Sequence, residues 1–156
     1  MIAVDIPGGA ALRLERLVLD YNGTLALDGL MLNQAKTLLL DLSMLLRVHV
    51  VTADTFGLAE KELSDLPLSL KILPPGGQAK AKLDFITCLG PEKCAAVGNG
   101  LNDALMVAAA ALGLAVLGPE GAAKKTLEAA DVVCPSIESA LGLLLSPKRL
   151  IATLRT

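Results

Sequence analysis

The sequence predicts an α/β domain with helices on both faces of a mostly parallel sheet, a three-layer α/β/α arrangement. Three observations carry this. Short apolar runs alternate with helical patterns from Leu17 to the end of the chain, the order that parallel sheets need because each crossover is a helix. Several runs, such as Leu17–Leu19 and Leu112–Leu117, are apolar throughout, as in strands covered on both faces. At 156 residues the chain suits a single domain, 1–156, large enough to bury a core without disulfides.

Each element has a local signature. Ile2–Ile6 and Ala11–Glu15, joined through Pro7-Gly8-Gly9, read as an extra strand pair within residues 1–15. Leu17–Asp20 is the first sheet strand. Leu25–Leu32 has room for a small flap at most. Asn33 can cap a helix reaching Leu46, with Leu38, Leu39, Leu42, Leu45 and Leu46 on one face. Arg47–Thr52 is the second strand, and Thr55 can cap a short helix that ends before Pro67. Ser69–Leu73 is the third strand, closed by Pro74-Pro75-Gly76-Gly77. A helix from Gln78 to Leu89 stops at Gly90. Lys93–Val97 is the fourth strand, Asn102–Ala111 a helix, and Leu112–Leu117 the fifth strand, with a turn at Gly113. Gly121–Ala130 is helical, Asp131–Cys134 is the sixth strand, Ser136–Leu145 is a helix, and Pro147 opens a short terminal piece. No repeat, low-complexity tract or linker interrupts this order.

Composition excludes several functions. Apolar residues make up 53% of the chain and mean hydropathy is +0.59, which is incompatible with disorder. The longest uncharged run, Ala104–Pro119, is shorter than the roughly 18 residues that suggest a membrane span. The start, MIAVDIPGGA, has no cationic segment before an apolar one, which argues against a signal peptide. Net charge is -2 and the only aromatic residues are Tyr21, Phe56 and Phe85. Nucleic acid and membrane are therefore not expected partners. Cys88, Cys94 and Cys134 have no metal-ligand spacing and read as buried free thiols of a cytoplasmic protein. His49, the only histidine, lies in an apolar strand, and a core role is expected for it. With one histidine, catalysis falls to carboxylates, a lysine and a metal.

Sites in parallel sheets lie at the carboxyl ends of the strands. After the first strand come Asp20-Tyr21-Asn22-Gly23-Thr24, and after the second Thr52-Ala53-Asp54. Lys80 and Lys82 follow the third, and Gly98-Asn99-Gly100-Leu101-Asn102-Asp103 follow the fourth. Oxygen ligands of this kind suit Mg²⁺, and a lysine with hydroxyl and backbone donors suits phosphate. Gly23, Gly98 and Gly100 would let backbone N–H groups approach a ligand. Each piece also has a plain reading: Asn22-Gly23 as a turn, Thr52 as a strand-end residue, the lysines as solvated helix residues. Their conjunction, in order and each at a strand end, points to one site.

These motifs resemble the four motifs of the haloacid dehalogenase (HAD) superfamily, over nearly the whole chain. Within it they are most similar to the phosphorylation domain of P-type ATPases in its stand-alone soluble form. The resemblance implies a Rossmann-like HAD fold without a cap domain. Only residues 25–51 separate the first two motifs, so the nucleotide domain of the pumps has no room. It implies an Mg²⁺-dependent phosphatase that works through an aspartyl-phosphate on Asp20. By the same likeness Asp20, Asn22, Thr52 and Lys82 are catalytic. Gly23, Thr24, Thr52, Ala53, Lys82 and Asn102 would hold phosphate. Asp20, the backbone carbonyl of Asn22, Asn99 and Asp103 would hold the metal, the last two as inner- or outer-sphere ligands. Lys82 is preferred to Lys80 because its spacing to Gly90 is similar to that in relatives.

Two departures qualify the expectation. HAD phosphatases carry a second Asp where Asn22 stands, as acid and base, and an amide can do neither. That loss costs about 10²–10⁴ in rate, so a slow enzyme is expected. Asn99 likewise replaces a metal-binding Asp, which lowers the expected Mg²⁺ affinity. The alternative is a catalytically degenerate protein on the same fold that binds phosphate or metal as a regulator. Both substituted residues precede glycine, the context in which asparagine deamidates to Asp most readily, although backbone geometry alone accounts for the glycines. The substrate is a phosphorylated compound of unspecified identity. The apolar surplus and the absence of a cap favour a homo-oligomer.

Overall fold

A computed structural model describes residues 1–156. The chain begins with an antiparallel hairpin, β1 (Ile2–Val4) and β2 (Leu12–Leu14). It continues through β3 (Arg16–Leu19), β4 (Ala26–Leu27), β5 (Leu30–Met31), α1 (Asn33–Ser43), β6 (Arg47–Thr52), α2 (Ala59–Leu63) and β7 (Ser69–Ile72). Then come α3 (Gln78–Leu89), β8 (Cys94–Gly98), a 3₁₀ turn (Leu101–Asp103), α4 (Ala104–Ala109) and β9 (Leu112–Val116). The chain closes with α5 (Lys124–Ala129), β10 (Val132–Cys134), α6 (Ile137–Leu144) and α7 (Pro147–Leu154).

Six strands form one sheet, in the order β10-β9-β8-β3-β6-β7, and every neighbouring pair is parallel. β3 is central, between β6 and β8. The chain leaves β3 toward β6 and β7 on one side, then returns to β8, β9 and β10 on the other. That reversal opens a crevice at the carboxyl ends of β3, β6 and β8.

The two faces are unequal. One buries the larger core, in which Leu17, Leu19, Val50 and Val97 meet Leu39 and Leu42 of α1 and Leu141 and Leu144 of α6. The other is smaller: Val18, Val51, Cys94 and Ala96 meet Ile86 of α3 and Met106 of α4. Alternate residues of β3, Leu17 and Leu19 against Val18, serve opposite faces. This is why that strand is apolar without a break. No helix is long and apolar enough to cross a membrane.

The structure corrects several local expectations. α1 starts at Asn33 with Leu32 in the cap position, and no side chain caps it. Thr55 does not cap α2; the Asp54 carboxylate does, accepting from the N–H groups of Leu58 and Ala59 at 3.0 Å each. Asp54 reaches that position through a left-handed backbone, φ 50°, which Asp tolerates better than most residues. Gly113 is not a turn but lies inside β9. A methyl group there would sit 2.4 Å from the Val107 carbonyl of α4, so the glycine lets helix and strand approach. Cys88 is exposed, whereas Cys94 and Cys134 are buried. His49 packs edge-on to Phe85, with ring centroids 5.8 Å apart, and burial lowers its pKa.

The segment after the first motif is a two-strand hairpin, β4 and β5, turning at Asp28-Gly29 with φ 51° and 80°. Two successive positive φ values match the twist of a tight hairpin. Tyr21, fully buried, donates from its hydroxyl to the Gly29 carbonyl at 2.9 Å. Glu62 of α2 accepts from Met31 N–H at 3.0 Å. The hairpin is thereby fixed beside the crevice, and it is all that the chain inserts there.

Candidate active site

β3, β6 and β8 deliver the three strand-end motifs to one crevice. It is a cavity of about 150 Å³ lined by Asp20, Asn22, Thr52, Ala53, Asn99 and Asn102, together with Thr55, Gln78, Gly100 and Glu120. Nine of these ten residues are polar or glycine, so the site is built for a hydrophilic ligand.

Beneath the cavity three charged side chains form a closed knot. Lys82, 1% exposed, donates from Nζ to Asp20 Oδ1 at 2.5 Å and to Asp103 Oδ1 at 2.6 Å. Burying one cation between two anions is tolerable only because each charge is hydrogen-bonded. Burial pulls the Lys82 pKa down, but the two carboxylates outweigh it and hold the ammonium above its ordinary range. Asp20 moves the other way. Burial first, and then the neighbouring Asp103 charge, push its carboxyl up to about 7, against the pull of Lys82 and the Tyr21 amide. Lys80 stands apart from this knot, exposed and paired with Asp84 at 2.8 Å.

Asp103 is held in place by its second oxygen, Oδ2, which accepts from the N–H groups of Asn99 and Gly100 at 3.0 and 2.9 Å. Gly98 has no side chain to obstruct this, since a methyl group there would lie 2.5 Å from the Asp103 carboxyl carbon. Of the glycines expected to let backbone N–H groups approach a ligand, Gly23 and Gly100 have their own N–H groups engaged within the chain. Gly23 N–H donates to Ala26 O at 2.8 Å, and Gly100 N–H is taken by Asp103. Gly23 is required for another reason: its φ is 77°, and any Cβ would strike the Asn99 side chain.

The rim is less tightly bonded. Thr24 Oγ1 donates to Asn99 Oδ1 at 3.2 Å and lies 3.5 Å from Asp20 Oδ2. Asn22 Oδ1 is buried without any partner. Thr52 accepts from Asp54 N–H at 3.0 Å, which leaves its hydroxyl hydrogen free to donate. Asn102 donates to Gln78 Oε1 at 2.7 Å. Deamidation meets an obstacle at both candidate positions. The reaction needs the next residue's backbone nitrogen to attack the amide carbon, and those nitrogens, of Gly23 and Gly100, are both held in hydrogen bonds.

Oxygens of crevice residues that are not fully engaged fit a hard divalent cation. Asp20 Oδ2 has one long contact, Asn22 Oδ1 has none, and Asn99 Oδ1 has one donor. No three His, Cys, Asp or Glu side chains cluster, so the set is a carboxylate with carboxamides, which binds more weakly than a set of carboxylates.

Glu120, Gln78, Thr55 and Thr126 escaped the sequence reading. Thr126, buried, donates from Oγ1 to Gly100 O at 2.6 Å and braces the loop after β8. Glu120 had a signal: it follows β9 in Leu117-Gly118-Pro119-Glu120-Gly121, the strand-end rule applied one strand further. Gln78 and Thr55 have none, because each reaches the cavity from a loop or helix start.

No protein-family model matches the chain. An uncharacterized protein of Methanocaldococcus jannaschii is 44% identical over 84 residues, which span 51% of this chain and 90% of that protein. Among solved structures, the 3-deoxy-D-manno-octulosonate 8-phosphate phosphatase of Moraxella catarrhalis, in complex with magnesium ion, phosphate ion and KDO, superposes with a TM-score of 0.72. It is 20% identical over 91% of this chain and 94% of that one. The cobalt-bound deoxy-D-mannose-octulosonate 8-phosphate phosphatase (YrbI) of Haemophilus influenzae gives a TM-score of 0.72 at 17% identity, over 92% and 94% of the two chains. A Legionella pneumophila protein described as a HAD superfamily (subfamily III A) hydrolase gives 0.68 at 18% identity, over 90% and 87%.

Proposed function

We propose, for a chain that has the haloacid dehalogenase fold and shares a family with the M. jannaschii protein, the activity of a slow, Mg²⁺-dependent phosphatase acting on a small hydrophilic phosphate ester. The observation that carries it is the knot of Asp20, Lys82 and Asp103 beneath a polar cavity. A carboxylate buried against a lysine, with one oxygen left toward the cavity, is the arrangement a nucleophile needs.

Asp20 attacks phosphorus, forming an acyl-phosphate bond as the bond to the leaving oxygen breaks. Lys82 opposes the negative charge that develops on the transferring group. Thr52 and the Ala53 amide hold phosphate oxygens, with Thr24 and Asn102 beside them. Asp20, the Asn22 carbonyl and Asn99 would hold Mg²⁺, with Asp103 behind them. Bound there, the ion would neutralise charge between the carboxylate and the phosphoryl group. The leaving oxygen takes its proton from water, because Asn22 has none to give. Water then attacks the acyl-phosphate and releases inorganic phosphate and free Asp20, again without a base at position 22. The likeness to P-type ATPase phosphorylation domains rests on the motifs and is consistent with a long-lived phosphoenzyme.

Beryllofluoride with Mg²⁺ tests this reading, because it mimics an acyl-phosphate. Trapping by the chain and not by Asp20→Asn, together with Mg²⁺-dependent turnover of a phosphatase panel, is expected. An inert chain that neither traps the mimic nor gains activity from Asn22→Asp would instead fit the second reading, a phosphate- or metal-binding regulator. That reading is favoured by the carboxamides at 22 and 99. The exposed Leu27, Leu30 and Phe56 beside the crevice support a site covered by a second copy, which light scattering would test as a mass above 16.1 kDa.

A further inference from the structure

The loop between β9 and α5 is fastened to the crevice by Asn99. Asn99 Nδ2 donates to Gly121 O at 3.0 Å, and Ala123 N–H donates to Asn99 O at 2.8 Å. Within the loop, Gly121 N–H closes back on Gly118 O at 3.3 Å. The first of these bonds needs an amide at position 99, since a carboxylate would face the Gly121 carbonyl with no hydrogen to offer. The carboxamide thus supplies one of the two bonds that dock the loop.

The docked loop carries a carboxylate. Glu120 lines the same cavity as Asp20 and Asn22. A methyl group placed on Gly23 would meet Asn99 Nδ2 at 2.5 Å, Glu120 Oε2 at 2.8 Å and Asn99 Oδ1 at 2.9 Å. The Glu120 carboxylate and the Asn99 carboxamide therefore flank one point over the first motif. Glu120 makes no salt bridge, unlike Glu128 of the following helix, which pairs with Lys124 at 3.3 Å. Beside it, Asn22 Oδ1 is buried and unpartnered. The Glu120 carboxylate, the unpartnered Asn22 Oδ1 and Asp20 Oδ2, whose one contact is Thr24 Oγ1 at 3.5 Å, belong to residues that line one polar cavity and form an acceptor-rich set.

We propose that Glu120 is a ligand of the divalent cation at this site, supplying from the β9–α5 loop the negative charge that a carboxamide at position 99 cannot. The exchange is coherent: the amide that gives up a charge at 99 helps to hold the loop bearing its replacement. This rests on the cation-dependent reading above, and it adds a residue outside the four motifs.

Mn²⁺ binding to the full chain, followed by electron paramagnetic resonance without substrate, tests the assignment apart from activity. Glu120→Gln is an exposed, isosteric change, and Glu128→Gln is a control for the loss of one negative charge near the same loop. Glu120→Gln is expected to raise the Mn²⁺ Kd about tenfold or more, since affinity follows the number of charged ligands, while Glu128→Gln changes it less than about twofold, as a screened surface charge should. A Glu120→Gln effect no larger than that of Glu128→Gln overturns the Glu120 assignment and leaves the phosphatase reading intact. No saturable Mn²⁺ binding by the unaltered chain overturns the cation site and the assignment together. Beryllofluoride trapping by Glu120→Gln at saturating Mg²⁺ separates a weakened cation site from a lost nucleophile.

Discussion

The floor and the rim of the crevice are built on opposite terms. On the floor, Asp20, Lys82 and Asp103 are buried, and each is bonded within 2.6 Å to another of the three. On the rim, Asn22 Oδ1 has no partner, Asn99 Oδ1 has a single donor, and Glu120 is exposed. The floor resembles a finished piece of core that happens to be charged. The rim keeps unused acceptors, which is what a site that binds something must do. The difference separates charges already satisfied within the chain from acceptors held ready for a ligand.

The sharpest way to break this contrast is to remove the centre of the floor. Lys82→Met leaves two carboxylates buried without their cation, and breaking such a pair costs about 3–5 kcal/mol. Urea unfolding should show that loss, with activity abolished as well. A change near zero would mean that the floor is no more structural than the rim. On the rim, Asn22→Asp should instead raise turnover by about 10²–10⁴ by restoring a general acid and base, with little effect on the urea midpoint. Steady-state kinetics and unfolding on one preparation would place the two substitutions on opposite axes.

pH offers a subtler separation. Asp20 is raised from 3.8 to about 7 in the folded chain, so between those values the folded state holds the proton more tightly than the unfolded one. Its contribution to stability is therefore present at low pH and declines as pH rises from about 4 to about 7. Urea midpoints of cation-free protein at pH 4.5 and 7.5 should show this decline, and Asp20→Asn should flatten it. The smallest effect is expected from Tyr21→Phe, which removes the hydroxyl bond to Gly29 that holds the hairpin. It should cost about 1 kcal/mol by thermal melting and leave Mn²⁺ binding unchanged.

Most of the architecture was legible in the order of the residues. Arg47–Thr52 and Gln78–Leu89 have the bounds expected for them, because a β-branched apolar run and a helix closed by Gly90 are local signals. The shorter elements strayed where the deciding contact was distant. α2 is capped by Asp54 rather than Thr55, since only a left-handed turn at Asp54 brings its carboxylate to the helix start. Gly113 lies within β9, and its reason, the Val107 carbonyl, lies six residues earlier on a packed helix.

By itself, the sequence determined the alternation of strands and helices, the apolarity of a sheet covered on both faces, and the polar residues that end β3, β6 and β8. Those follow from periodicity and from the rule that crevices open at strand ends. Although the spacing to Gly90 favoured Lys82 over Lys80, the tertiary structure decided which of them enters the site, because two lysines on one helix differ in the direction they face and not in their chemistry. It alone showed that the backbone nitrogens of Gly23 and Gly100 are already engaged, and that a loop fastened by Asn99 brings Glu120 over Gly23. Such facts depend on distances between segments remote in the chain, and no local pattern of residues encodes them.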